Sequence, residues 1–448
     1  MYRIKRKFKH HTSRQVLRQR LVLWLGALAV GLAIVGFTKL TDLSYGLFKH
    51  IQDSYWALLV TPVGLAFTTW LTLKFFPGCE GSGIPQVIAS LKTRDIALKH
   101  ALLSLRIAAG KVVLTCLGLA CGASIGREGP SVHIGSAVMY NISRYAHFSK
   151  LDIERGLIVA GGAAGISAAF NTPLAGIVFA IEEISRSFEE RTSGTMMTAV
   201  IMSGIIAQAF LGNYTYFGTS SSYLLPTDLG APLACGIVGG LFGGLFSQIL
   251  IIGSNRLRPA MQIQPIKVAF LCGLLLSLFG LLSDGATYGS GYESARHIME
   301  HPESASWSYP ILKLLATMSA YLSGIPGGIF SPSLSAGAGF GAWIAGWFPH
   351  IPASAVVVLG IVAYFSGVVQ TPITAFVIVM EMTEDLSMLL PLMIASFVAY
   401  GISTIICPEP LYRALSAAFL PGTSPDPIPL PDSDGNPSAQ EKATPPNN

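Results

Sequence analysis

Charge is what this chain of 448 residues has least of. Asp, Glu, Lys and Arg make up 12% of it, about half the share of an ordinary soluble domain, so a water-facing surface over the whole chain is excluded. Cysteine pairs are missing as well. Cys79, Cys116, Cys121, Cys235, Cys272 and Cys407 stand singly, mostly inside apolar segments and with no C-x-x-C spacing. They support neither a disulfide framework nor a thiolate metal site and read as small buried hydrophobes. No cofactor is called for. Acids are absent from the first twenty residues, which hold eight Lys or Arg. The net charge of +5 comes mostly from that segment, so it carries no argument for nucleic acid.

What is present is apolar. Hydrophobic residues reach 51% and the mean hydropathy is +0.55, and runs long enough to cross a bilayer recur from Leu21 to Phe419. The expectation is an all-α polytopic membrane protein surrounded by lipid. Residues 1–20 are too basic for a signal peptide and no cleavage site follows them, so they are expected as a cytoplasmic segment under the positive-inside rule, with anionic lipid as a compatible contact. Residues 421–448, rich in Pro, Asp, Ser and Asn, are expected to be a disordered tail.

The sequence repeats itself. "FNTPLAGIVFAIEE" from Phe170 lies over "VQTPITAFVIVMEM" from Val369, and "GREGPSVHIG" from Gly126 lies over "GIFSPSLSAG" from Gly328, both at an offset of about 200 residues. The halves are expected at 21–220 and 228–420. Glycine and proline interrupt the apolar segments at "GCEGSGIPQ", "GREGP", "GIPGGIFSP" and "CPEPLY", a signature of transporter folds whose broken helices meet near the bilayer midplane. In three of the four, proline stands at or near a helix start. The free N–H groups and positive dipole end then face the break. Several such ends converging make an anion site without a full positive charge, which favours an anion as the transported species.

"GSGIP", "GREGP" and "GGIFSP" in that order, followed by a tyrosine opening the last helix, resemble the CLC family of chloride channels and chloride/proton exchangers over about residues 21 to 420. The resemblance implies an inverted repeat, an inner-membrane homodimer with one path per subunit, and exchange of chloride for protons, with no enzymatic activity. A passive voltage- or pH-gated chloride channel of the same fold is the alternative. By resemblance, Ser82 and Tyr412 are hydroxyl donors to a central chloride, and the N–H groups of Ile329 and Phe330 complete its shell. A helix cap at Ser82 and an interfacial aromatic at Tyr412 are the structural alternatives. Ser82 stands where the family's nitrate-preferring members carry proline.

Glu128 matches the family's external gate. A carboxylate beside converging N–H dipoles occupies an anion position, and protonation releases it; an ion pair with Arg127 is the other reading. Of "AIEE", Glu182 has a repeat partner in Glu381 and is expected to be architectural. Glu183 has none, and by resemblance it is the internal proton glutamate; a solvated helix-end carboxylate is the other reading. Glu183, with no C-terminal regulatory domain in the sequence, favours a prokaryotic-type exchanger over a channel.

Lys111 is expected to open the helix before "GREGP", as a buried charge partner or a snorkelling side chain. His133 is expected to pack. Gly236, Gly240 and Gly244, and likewise Gly118, Gly122 and Gly126, are expected as helix-packing faces. "GASIG" matches a hydrolase elbow only in spelling, since that motif needs a strand before the serine. The "NYT" at Asn213 is a glycosylation match without weight.

Overall fold

The computed structural model describes residues 14–52, 54–145, 151–186, 190–212 and 228–420. Residues 1–13 of the basic segment, the Asn213 match and the tail from residue 421 lie outside the described residues. Regular structure among the described residues is helical, and eight helical segments are long and apolar enough to cross a membrane. The first half runs α1 (Arg14–Lys49), α2 (Ala57–Phe75), α3 (Ile84–Lys92), α4 (Ile96–Leu102), α5 (Leu105–Ala120), α6 (Glu128–Tyr145), α7 (Leu151–Phe170), α8 (Pro173–Phe179), then a π-helical turn over Ala180–Ser185, and α9 (Glu190–Leu211). The second runs α10 (Gly230–Ile263), α11 (Pro265–Leu282), α12 (Tyr292–Glu300), α13 (Tyr309–Leu322), α14 (Phe330–Ala345), α15 (Ala353–Val369), α16 (Pro372–Thr383), α17 (Leu389–Ile406) and α18 (Leu411–Ser416).

Two kinds of helix build the fold. α11 keeps a leucine face outward, with Leu271 at 58% and Leu282 at 59% exposure, as a lipid-facing helix should. α15 is buried along its length, every residue from Ala355 to Val369 included, so it is a central post. Burial on all sides demands close neighbours, and glycine supplies them. A Cβ at Gly360 of α15 would strike the backbone of Gly341 and Gly337 on α14, and one at Gly161 of α7 would strike the backbone of Gly135 on α6. The same glycine contact therefore holds α6 to α7 and α14 to α15, the repeat expressed as packing. Gly236, Gly240 and Gly244 of α10 lie against Ala395, Ala399 and Ser403 of α17 as expected, while Gly239 and Gly243 lie against Ala363 and Gly367 of α15.

Crossed hydrogen bonds join the halves. Glu381, at the end of α16, accepts from the N–H groups of Leu174 (3.0 Å) and Ala175 (2.7 Å) at the start of α8. Glu182, just past α8, accepts from Ile373 (3.1 Å) and Thr374 (2.6 Å) at the start of α16. Each acid caps the other half's helix, where the dipole favours it. The breaks meet as well. Gly126 and Gly328 exchange two N–H···O bonds of 2.7 Å, and Gly81 donates to Ile325 and accepts from Gly327 at 3.2 Å.

Two expectations are corrected. α5 ends at Ala120, and Gly122 sits in a turn with φ of +81°, so Gly118, Gly122 and Gly126 are not one helix face and "GASIG" lies in the break itself. Lys111 lies in the middle of α5, fully buried, and neither opens the helix nor snorkels.

Candidate anion and proton site

Proline and glycine set the helix ends of the site. Pro85 is the second residue of α3, Pro130 the third of α6, Pro332 the third of α14, and Pro410 directly precedes α18. Each starts a helix whose first N–H groups have no carbonyl behind them within the helix.

Ser82 lies between Gly81 (φ +68°) and Gly83 (φ +100°) and is fully buried. At Gly83 the left-handed backbone and the side chains of His133 and Lys111 together leave no room for a Cβ. The Ser82 Oγ accepts the Ile84 N–H at 3.3 Å, a long capping bond that leaves the hydroxyl proton free to point elsewhere. Ile329 and Phe330 begin α14 and are 1% and 0% exposed. The ring of Tyr412 stacks on Phe330 at 6.1 Å. Its hydroxyl is buried without a hydrogen-bond partner, which rules out the interfacial reading. A buried phenol with nothing to donate to is costly, and an anion at the meeting point of α3, α14 and α18 would relieve it.

Glu128 opens α6 and is fully buried. One carboxyl oxygen accepts from the Ser331 hydroxyl at 2.5 Å; the other, folded back against Gly126, has no partner. The ion pair with Arg127 is absent, for Arg127 reaches Asp42 at 2.6 Å instead. Arg127 and Glu128 line an open vestibule of about 420 Å³ together with Ser290, Gly291 and Glu293, and Glu128 stands between the helix starts of α6 and α14.

The model of the voltage gated chloride channel family matches residues 64–404. The chain belongs to this family. It is 28% identical over 396 residues to the H(+)/Cl(−) exchange transporter ClcA of Citrobacter koseri, covering 83% of this chain and 81% of that one. Its fold is similar to that of a slow cyanobacterial Cl−/H+ antiporter (TM-score 0.76, 23% identity, 89% of this chain and 97% of that one). A CLC-type fluoride/proton antiporter is similar too (TM-score 0.75, 23% identity, 88% and 97%).

In this CLC chain the second acid sits where the repeat breaks. α16 stays α-helical through Glu381, whereas the matching segment turns π-helical over Ala180–Ser185. Such turns mark functional positions, and this one sends the two neighbouring acids apart. Glu182 caps α16, while Glu183 turns inward with a side chain only 1% exposed, so it is not a solvated helix-end carboxylate. Neither of its oxygens accepts a hydrogen bond, and Arg186 approaches to 3.7 Å. Glu183 borders a second cavity, about 120 Å³, with Lys92, Arg155, Arg186 and Arg413 around it. Partial burial, then Arg413 nearby, lowers the pKa of Lys92. Tyr412 lies within electrostatic reach of both Glu128 and Glu183.

Sequence reasoning missed the supports of the site. Lys111 Nζ donates to the carbonyls of Cys79 (2.8 Å) and Gly81 (3.1 Å), and Lys313 Nζ to those of Thr287 (3.0 Å) and Gly289 (2.8 Å). The available signal was the offset, since Lys111 and Lys313 are spaced as Gly126 and Gly328 are, and a second "GSG" stands at Gly289–Gly291. Ser331 and Asp42 carried no such signal. His133 bonds the Leu102 carbonyl at 2.8 Å, the packing role expected. Ser124 of "GASIG" pairs with Thr317 at 3.1 Å, which leaves no nucleophile arrangement there.

Proposed function

We propose that the chain is a secondary transporter exchanging chloride for protons. Ser82, Tyr412 and the N–H groups of Ile329 and Phe330 hold the central anion with neutral donors, which compensate its lost hydration without trapping it. Ionised Glu128 takes an anion position beside the helix ends of α6 and α14 and blocks the path to the vestibule. Protonated, it leaves, and chloride passes. Glu183 carries protons to the other face by a route that diverges from the anion path near Tyr412. The observation that carries this reading is the pair of buried carboxylates, each with an unsatisfied oxygen, in reach of one unpartnered phenol and each bordering its own cavity. A passive channel needs no second buried acid. The H(+)/Cl(−) exchange named for the Citrobacter relative supports the same choice.

The repeat halves at 21–220 and 228–420 supply one complete path per subunit, and the working form is a homodimer in a cell inner membrane with the N-terminus cytoplasmic. The test is reconstitution into liposomes under a chloride gradient with a pH-sensitive dye. Protons driven uphill by chloride establish exchange; chloride flux with no uphill proton movement assigns the channel reading instead.

A further inference from the structure

One acid whose carboxyl is sealed from solvent has no part in the exchange cycle above. Glu80 stands two residues before Ser82, in the loop that Lys111 and Gln86 pin from behind. Gln86 donates to the backbone carbonyls of Glu80 (2.7 Å) and Gly78 (3.3 Å), and Lys111 to those of Cys79 and Gly81. The loop backbone is therefore satisfied on both sides of Glu80. Its side chain is not. Both carboxyl oxygens are sealed from solvent and neither makes a well-formed hydrogen bond, only the backbone N–H groups of Glu80 itself and Gly78 lying near them. Lys111, the cation acting on it, has its hydrogen bonds directed to the flanking carbonyls.

An ionised carboxyl sealed from water and so weakly compensated costs more than a neutral one, which favours the protonated form here. The repeat makes it exceptional. Cys79, Glu80 and Gly81 correspond to Thr287, Tyr288 and Gly289, the second loop held by a lysine through its carbonyls. Tyr288, in the place of Glu80, donates to the Ser277 carbonyl at 3.2 Å. The architecture needs no acid at this position, the same asymmetry that separates Glu183 from Glu182. Tyr321 of α13 lies against Gly81, is acted on by Glu80, and lines a cavity of about 110 Å³ with Ser254, Asn255 and Arg258.

We infer that Glu80 is a third proton-binding carboxyl, neutral while the central anion site is filled, whose ionisation weakens chloride binding. An anion at Ser82 and a charge on Glu80 repel across a poorly screened interior, so filling the one disfavours the other. By linkage the effect is reciprocal, and chloride binding draws a proton onto Glu80. The sign is fixed: affinity is highest at acid pH and falls as the solution becomes alkaline. The titratable and charged groups facing Glu80 are Lys111 of α5, Tyr321 of α13 and Cys79 of its own loop, with His133 of α6 beside Lys111.

This inference rests on the central anion site proposed above, and one experiment separates the two. Chloride binding to the Glu128→Gln/Glu183→Gln protein, in which both assigned proton carriers are gone, is followed by calorimetry from acid to alkaline pH. The affinity should fall about tenfold across that range, the scale of one charge repelling another at a few ångströms' separation beyond contact. Adding Glu80→Gln should hold the acid-side affinity at every pH, whereas adding Tyr321→Phe or Cys79→Ser should leave the dependence in place. In weakly buffered solution, chloride added to the double variant should take up protons, a reading that needs no third substitution and survives if Glu80→Gln fails to fold. No chloride binding at any pH would overturn the anion site. Chloride binding that is independent of pH and takes up no proton, or a dependence that Glu80→Gln leaves intact, would overturn the role of Glu80.

Discussion

At the scale of single residues, the proposed site leaves polar atoms unsatisfied where an ion or a proton would come. The free oxygen of Glu128, both oxygens of Glu183 and the hydroxyl of Tyr412 are all buried without hydrogen-bond partners. Orphans of this kind cost stability, and here they face cavities or converging helix ends. Replacing each acid separates the roles. Glu128→Gln removes the anion mimic and the proton carrier together, so chloride flux should persist, uphill proton movement should vanish, and flux should lose its dependence on external pH. Glu183→Gln should abolish proton movement while chloride flux keeps its pH response. Paired chloride-electrode and pH-dye recordings on proteoliposomes check both; uphill pumping at the unmodified ratio by Glu183→Gln would remove it from the proton route. Ser331 gives a finer test. In the proposed cycle its hydroxyl would hold Glu128 in the blocking position, through a bond to a charged group worth about 1.5 kcal/mol. Ser331→Ala should therefore loosen the block and raise chloride flux in the same recordings. Unchanged flux would mean the bond is absent in the working cycle. For selectivity, Ser82→Pro removes the hydroxyl donor, and the preference should turn from chloride towards nitrate. Equal coupling to both anions in the unmodified protein would contradict the assignment of Ser82.

At the scale of elements, the crossed caps of Glu182 and Glu381 decide how α8 and α16 sit. Each acid receives two N–H groups at a helix start, so hydrogen bonding and the helix dipole act together. Glu182→Gln keeps the shape and removes the charge. It should cost about 1–2 kcal/mol, read as a lower midpoint of thermal unfolding in detergent, while the proton-to-chloride ratio of the folded fraction stays unchanged. A changed ratio at unaltered stability would make Glu182 a transport residue. The pairing of Glu182 with Glu381 was legible in the sequence because two Thr-Pro helix starts and their trailing acids share one offset. The convergence of "GSGIP", "GREGP" and "GGIFSP" was legible for the same reason, since punctuation by Gly and Pro survives in a chain where hydrophobic periodicity carries little information. What the sequence hid was orientation. Lys111 looks like a helix-end charge until the loop at Cys79–Gly81 folds over it. Arg127 and Glu128 are adjacent in sequence yet face Asp42 and Ser331, because a residue at a helix start and the one before it point in different directions. Glu80, followed by glycine and beside a binding motif, offers no periodic or spacing signal, and only the enclosed loop reveals that its carboxyl is sealed from solvent.

At the scale of the whole molecule, the architecture encloses every part of the proposed path within one chain. The rings of Phe170, Phe179, Phe365 and Tyr412 meet around Phe330, the vestibule is lined by both halves of the repeat, and the cavity at Glu183 is lined by α3, α7, α18 and the π-helical turn. Among the described residues, both cavities and both buried carboxylates belong to this one chain. On the proposed function, a homodimer of such chains would be two transporters in parallel, each with its own gate and proton route. A covalently linked dimer of one unmodified subunit and one Glu183→Gln subunit tests this without opening or closing either anion path. It should move protons uphill at about half the rate of the linked unmodified dimer, since the intact subunit owes nothing to its neighbour. Chloride flux should fall less, because the substituted subunit still passes chloride. Proton movement reduced to nothing would mean that the two subunits share one route. Proton movement undiminished would mean that Glu183 of one subunit serves both, and either result would break the assignment of a complete path to each chain.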